Sequence, residues 1–186
     1  MECEINTKEK RVRLINITTR VSQKILSVIL AAFVAMSCVL MTATTLKASA
    51  ESEDFSPRTT APRGNQYYTT MNDYYKTGYG MPNCTAYAWG RAYEILKSKP
   101  KLCMGNAYEW YGYNKRNGYY NYGRSPRLGA IACWSRGHVA VVEKIVGDTI
   151  TISESHYSGR YFDTKNLKRG NESSYCGNFQ GYIYIL

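Results

Sequence analysis

The sequence predicts an α+β domain in which helices come first and pack on an antiparallel β-sheet. A helical period with its own N-cap opens at Asn83-Cys84. Three strand-like runs, 128–134, 138–145 and 149–154, follow one another across short turns at Ser135-Arg136-Gly137 and Gly147-Asp148. Helical and strand character are segregated along the chain, not alternating, which favours α+β over a parallel α/β sheet.

The first fifty residues stand apart from that domain. Lys8, Lys10, Arg11, Arg13, Arg20 and Lys24 form a basic region, Ile25 to Leu46 is apolar, and Ala48-Ser49-Ala50 precedes acidic Glu51. This is the layout of a secretory signal peptide cleaved after Ala50. The apolar run is also long enough to span a bilayer, so a signal anchor is the alternative, with the remainder outside in either case. The expected localisation is therefore secreted, at the extracellular cell wall, or else anchored and facing outward. The organisation expected is a leader at 1–50, a flexible linker at 51–65 rich in Ser, Pro, Thr and Arg, and one domain at 66–186.

Within that domain, the helix from Cys84 places Ala88, Ala92, Ile95 and Leu96 on one face and should stop near Lys97–Pro100. A second short helix is expected over 106–113, and Asn114–Ser125 reads as an exposed loop. Strand 138–145 is β-branched and nearly apolar on both faces, as a central strand should be. Strand 149–154 puts Ile150, Ile152 and Glu154 on one face. A polar loop then leads to a closing strand over 180–186.

Setting aside the seven basic and three acidic groups of residues 1–50 lowers the net charge from +10 to +6. For a basic exported protein, anionic wall polymers or lipid headgroups are the expected partners rather than nucleic acid, the alternative being that the charge serves only solubility. Contact with a membrane is expected only through an uncleaved leader, and the domain is expected to be a monomer. Four of the six cysteines follow the leader: Cys84, Cys103, Cys133 and Cys176. Export permits disulfides, and their pairing stays open. Cys133, inside an apolar run, reads as a buried thiol. Zinc-type spacings are missing, so no metal and no cofactor is expected. All eighteen tyrosines follow the leader, and they suit either a small core of half-buried aromatics or a sugar and peptide groove.

The chemistry starts at Cys84. Asn83 can accept an unpaired N–H of the first turn, and a thiol there lies at the positive end of the helix dipole, which favours thiolate. A small buried hydrophobe would look the same. The only two histidines are His138 and His156. His138 stands at the mouth of the central strand, where a rigid element can hold a base within reach of a nucleophile. Glu154 ends the next strand, and a simple hairpin makes it a cross-strand neighbour of His138. Its carboxylate would fix the imidazole tautomer. Together the three residues point to Cys–His–carboxylate nucleophilic catalysis.

Asn83-Cys84-Thr85-Ala86-Tyr87, Gly105-Asn106-Ala107 with Trp110, Gly129-Ala130-Ile131-Ala132-Cys133-Trp134, Gly137-His138-Val139-Ala140-Val141-Val142-Glu143 and Ile150-Thr151-Ile152-Ser153-Glu154 resemble the cysteine, histidine-dependent amidohydrolase/peptidase (CHAP) family, in the family's order. The resemblance implies a papain-like fold. It also implies hydrolysis of an amide bond in peptidoglycan, as an N-acetylmuramoyl-L-alanine amidase or a peptide-bridge endopeptidase. Cys84 matches the nucleophile, His138 the general base and Glu154 the group that orients it. Many members carry Asn where this chain has His156, so His156 is either a fourth catalytic member or a groove residue. The Cys84 backbone N–H, with Asn83 capping the helix, is the expected oxyanion donor. Tyr87, Trp110 and Trp134 are candidate groove walls. A non-catalytic wall-binding module of the same fold, or a cysteine peptidase acting on another secreted amide, would share much of this pattern.

Overall fold

Asparagine side chains start the helical segments. In the computed structural model, which describes residues 55–186, Asn65 caps a 3-10 turn at Gln66–Tyr68. Asn72 caps α1 (Asp73–Lys76) and Asn83 caps α2 (Cys84–Leu96). Each sits in extended backbone and accepts the N–H two residues on, from Tyr67, Tyr74 and Thr85. A short amide side chain reaches that N–H, which has no partner inside the helix. α2 stops at Lys97, whose backbone is left-handed, ahead of Pro100. The expected leader and residues 51–54 of the expected linker lie outside the described residues. Among the described residues, no helix is long and apolar enough to cross a membrane.

A 3-10 turn, Ala107–Glu109, opens α3 (Trp110–Asn117). Glu109 closes a capping box by accepting the Asn106 N–H at 2.7 Å. The helix runs one turn beyond the expected end at 113. Asn114-Lys115-Arg116-Asn117 looks loop-like in composition, yet the stop signal is Gly118, at φ 64°. Buried Asn114 then bonds both the N–H and the C=O of Tyr120, folding the following turn back on the helix.

Six strands make one sheet: β1 (Asn121–Gly123), β2 (Ile131–Trp134), β3 (His138–Val146), β4 (Thr149–Glu154), β5 (Asp163–Lys168) and β6 (Phe179–Tyr184), with α4 (Ser173–Cys176) before the last. Their order is β1-β6-β2-β3-β4-β5 and every neighbouring pair is antiparallel. The α+β class is as predicted. β1 and β5 were not expected as strands. Both are edge strands with little to bury: in β5 only Leu167 is buried, so its sequence reads as a polar loop.

Strand alternation divides the core. Ile131, Cys133, Val139, Val141 and Ile183 meet Trp89, Tyr87, Tyr68 and Trp110 on the helix side. Ala132, Trp134, Ala140, Val142, Ile150 and Ile152 join Phe179 and Tyr182 on the other. β2 and β3 are apolar on both faces because each face has a core to line. Gly90 permits the helix side to close. A Cβ there would lie 2.7 Å from the Tyr67 carbonyl and 2.8 Å from the Tyr68 ring, so only glycine lets that turn approach α2.

The compact unit begins at Phe55, ahead of the boundary expected at residue 66. Residues expected to be a flexible linker are instead fastened to α2 and β3. The Arg58 N–H donates to Glu143 Oε2 at 2.8 Å, the Arg58 side chain pairs with Glu94, and Arg91 donates to the Ser56 carbonyl at 2.5 Å. The attachment is polar, so it leaves no apolar period in the sequence. At its centre Arg91 makes two bonds of 2.9 Å to Glu143. Glu143 also accepts from Ser153 Oγ at 2.6 Å. The register of β3 on β4 shifts between Val142 and Lys144, at this buried carboxylate.

Candidate active site

Asn83 does more than start α2. Its side-chain oxygen accepts the Thr85 N–H at 3.1 Å and the Thr85 hydroxyl at 2.9 Å, while its amide nitrogen donates to the Tyr79 carbonyl. Its own backbone N–H donates to Ser155 Oγ at 3.1 Å. That bond ties the start of α2 to the residue after β4, so Cys84 and Glu154 are held in one place by their neighbours. The amide of Asn83 is spent inside the protein, and its role is that of a cap. The Cys84 N–H belongs to the first helical turn, which has no intrahelical partner to offer it.

Cys84 is 7% exposed, and its Sγ lies 4.0 Å from the carbonyl of Gly137, the residue before His138. His138 Nε2 donates to Glu154 Oε2 at 2.6 Å, which leaves Nδ1 for the Cys84 thiol. Burial by itself would lower the basicity of His138. The hydrogen bonds to Cys84 and Glu154 outweigh it, and the pKa is raised to about 9. Burial would raise Glu154, but bonds from His138 and Tyr175 hold it below the usual carboxylate value. The structure thus brings Cys84, His138 and Glu154 together. The hairpin register differs in detail from the expected one: Val141 pairs with Ser153, so His138 meets Glu154 diagonally and not directly across.

His156 lies beside this group. Its Nε2 is 3.3 Å from Glu154 Oε1, and its ring stacks on His138 with centroids 5.5 Å apart and planes 17° apart. Tyr175, on α4, carries no local signal that marks it as part of the site. Its hydroxyl donates to Glu154 Oε1 at 2.5 Å, and its ring stands edge-on to His138 at 5.9 Å. It lies past a polar stretch with no motif around it, one tyrosine among eighteen. Glu154 therefore receives hydrogen bonds on both oxygens, which a carboxylate with no exposed surface requires.

Tyr87, Trp110 and Trp134 do not line a groove, because each has 0% exposure. Their polar atoms are satisfied inside: Tyr87 on Ser153 Oγ at 2.7 Å, Trp110 on the Tyr74 hydroxyl at 3.3 Å, Trp134 on the Glu172 carbonyl at 2.8 Å. Large rings with a satisfied polar atom belong in a core. Trp134 does bear on the site, since it pairs with His138 across β2 and β3 and packs against its ring at 5.8 Å. The groove itself, about 820 Å³, opens at Cys84 and is walled by Tyr79, Met104, Asn106, Tyr108, Arg136 and Tyr157.

Donor atoms of Glu154, His156 and Asp163 lie within 4.8 Å of one another. The Glu154 oxygens are engaged by His138 and Tyr175, and Asp163 pairs with Arg160. The four cysteines of the described residues are free thiols. Cys133 is fully buried, with burial pushing its thiol up, as its place in an apolar strand predicted.

A buried imidazole held between a thiol at a helix start and a carboxylate, on an α+β scaffold, is an arrangement that can support nucleophilic chemistry by the thiol. The CHAP domain family model matches residues 74–156, a span containing Cys84, His138 and Glu154. This is the family its motifs resemble, and it is one of peptidoglycan hydrolases and amidases with the papain-like fold. The chain is also similar to the crystal structure of Ly7917, at 21% identity and a TM-score of 0.41, over 56% of this chain and 53% of that one. The match thus spans about half the length of that chain.

Proposed function

We propose that this protein is an exported cell-wall hydrolase that cuts an amide bond of peptidoglycan through a Cys84 thioester. The observation that carries this reading is His138 held between Cys84 and Glu154. His138 takes the thiol proton and the thiolate attacks the amide carbonyl. The Cys84 backbone N–H faces the oxyanion. His138, now imidazolium and stabilised by Glu154, gives its proton to the leaving amine. Water, deprotonated by His138, then cleaves the thioester and restores the thiol. His156 and Tyr175 hold Glu154 from its other oxygen. Export rests on the leader in the sequence.

Lysis of cell walls in a gel by purified 51–186 protein, lost in Cys84→Ala, is the expected result. Equal lysis by the variant refutes the thiol mechanism. Mass spectrometry of digested peptidoglycan identifies the bond: a new N-terminal alanine marks the amidase, and a cut within peptide bridges marks the endopeptidase. The basic charge supports anionic wall polymers as a second partner, with wall retention that falls as salt rises. Retention unchanged between low and high salt refutes that partner.

A further inference from the structure

The residues around the groove at Cys84 are neutral with one exception. Tyrosine, threonine, asparagine, methionine, alanine and glycine surround the cysteine, and Arg136 is the sole charged residue of the lining. Its position is built. Arg136 occupies the tight turn between β2 and β3, closed by Gly137 N–H donating to the Trp134 carbonyl at 3.2 Å and by Ser135 N–H donating to the Asn178 carbonyl at 2.9 Å. Its stem lies on Gly177, where an added Cβ would come 2.6 Å from Arg136 Cδ. Gly177 has φ 81°, so bare backbone is favoured there on two counts. Arg58, Arg91 and Arg160 each meet a carboxylate. Among the described residues Arg136 makes no ion pair and no hydrogen bond. The next residue, Gly137, presents its carbonyl to Cys84 Sγ.

We infer that Arg136 is the carboxylate-recognition residue of the groove, and that the substrate carries a free carboxylate close to the amide that Cys84 attacks. A planar guanidinium takes a carboxylate through two parallel hydrogen bonds, a geometry that a lysine cannot copy. Consecutive Cα atoms are about 3.8 Å apart and an extended peptide advances about 3.4 Å per residue, so Arg136 serves a carboxylate within about two or three residues of the scissile bond. The inference rests on the hydrolase reading above. It specifies which amide the enzyme selects: one in an acidic peptide, with the carboxamide form of the same peptide disfavoured.

The test uses two wall-derived peptide fragments that differ only in one stem carboxylate, left free or converted to the carboxamide. The wild-type enzyme should cleave the free acid at least about tenfold more efficiently, mainly through KM, since a charge-assisted hydrogen bond is markedly stronger than a neutral one. In Arg136→Gln that ratio should collapse toward one, and in Arg136→Lys it should stand between the two. An equal wild-type rate on both fragments overturns the inference, as does an Arg136→Gln variant that keeps the wild-type ratio. Should wild type cleave neither fragment, the hydrolase reading fails for these substrates, and binding to Cys84→Ala protein decides the role of Arg136 separately. Tighter binding of the acid, lost on adding Arg136→Gln, supports the inference; equal binding of acid and carboxamide, or binding of neither, overturns it. Thermal melting of each variant confirms that the fold is retained.

Discussion

Glu154→Gln keeps the size of the side chain and removes its charge from the ring of His138. In the wild-type protein the imidazole pKa is raised from 6.5 to about 9, and at about 1.4 kcal/mol per unit this corresponds to on the order of 3 kcal/mol favouring the imidazolium in the folded state. The sign follows from linkage. The contribution of His138 to stability is complete below its unfolded value of 6.5 and is lost as pH rises through about 9. That of Glu154, whose pKa is lowered from 4.5, is present above 4.5 and is lost as pH falls through the depressed value. The stability gap between wild type and Glu154→Gln should therefore be widest from about pH 5 to 6.5 and should shrink as pH rises from there through about 9. Activity should follow the same group. The imidazolium protonates the leaving amine, so the alkaline limb of kcat/KM should fall near pH 9 in the wild type. It should move down by about one to two units in the variant, with kcat/KM at neutral pH reduced on the order of a thousandfold. The assay is release of soluble wall fragments from pH 5 to 10, with melting temperatures over the same range. An alkaline limb left near pH 9 in Glu154→Gln refutes the assignment of Glu154 as the partner that sets His138.

Tyr175→Phe removes the hydroxyl from Glu154 Oε1 while keeping the ring against His138. It should lower kcat about tenfold with little change in KM, at a stability cost of about 1 kcal/mol; an unchanged kcat would show that the hydroxyl does not position Glu154. Glu143→Ala takes away the two bonds that Glu143 makes to the Arg91 guanidinium, whose side chain is 5% exposed, and leaves Arg91 its pair with Glu94 at 2.9 Å. The expected loss is about 1.5–3 kcal/mol by denaturant melting. Because the two residues form one unit, the Arg91→Ala, Glu143→Ala double variant should lose clearly less than the sum of the single losses, and strict additivity would refute the pairing.

Local signals and spatial signals were legible to different degrees. The α2 start could be read from Asn83, since a cap acts within three residues. Cys84, His138 and Glu154 could be placed together because each ends an element whose type the residue pattern defines. What escaped was polar or edge-on. β1 and β5 bury almost nothing, and α3 continues through four polar residues. Residues 55–65 attach through charge and main-chain bonds, not through an apolar stripe. Tyr87, Trp110 and Trp134 carry the same rings a groove would use, and only three-dimensional packing shows that their polar atoms are met inside. Tyr175 and Arg136 depend on chain segments that meet only once the sheet is assembled.

The sheet separates two hydrophobic bodies, and the reacting groups lean on different ones. Cys84 is packed among the rings on the helix side, whereas His138 rests on Trp134, which belongs to the opposite body. The working distance between sulfur and imidazole is thus the difference between two independent foundations, with the Asn83–Ser155 bond as the tie beam between them. Settlement in either foundation changes that gap directly. A displacement of about 1 Å is enough to cost on the order of a hundredfold in rate, while the same repacking costs a core only about 1–3 kcal/mol. Under the proposed mechanism, turnover should therefore register damage to either interior before melting temperature does, and substitutions chosen for stability alone will need to be screened for where they move the floor beneath the histidine.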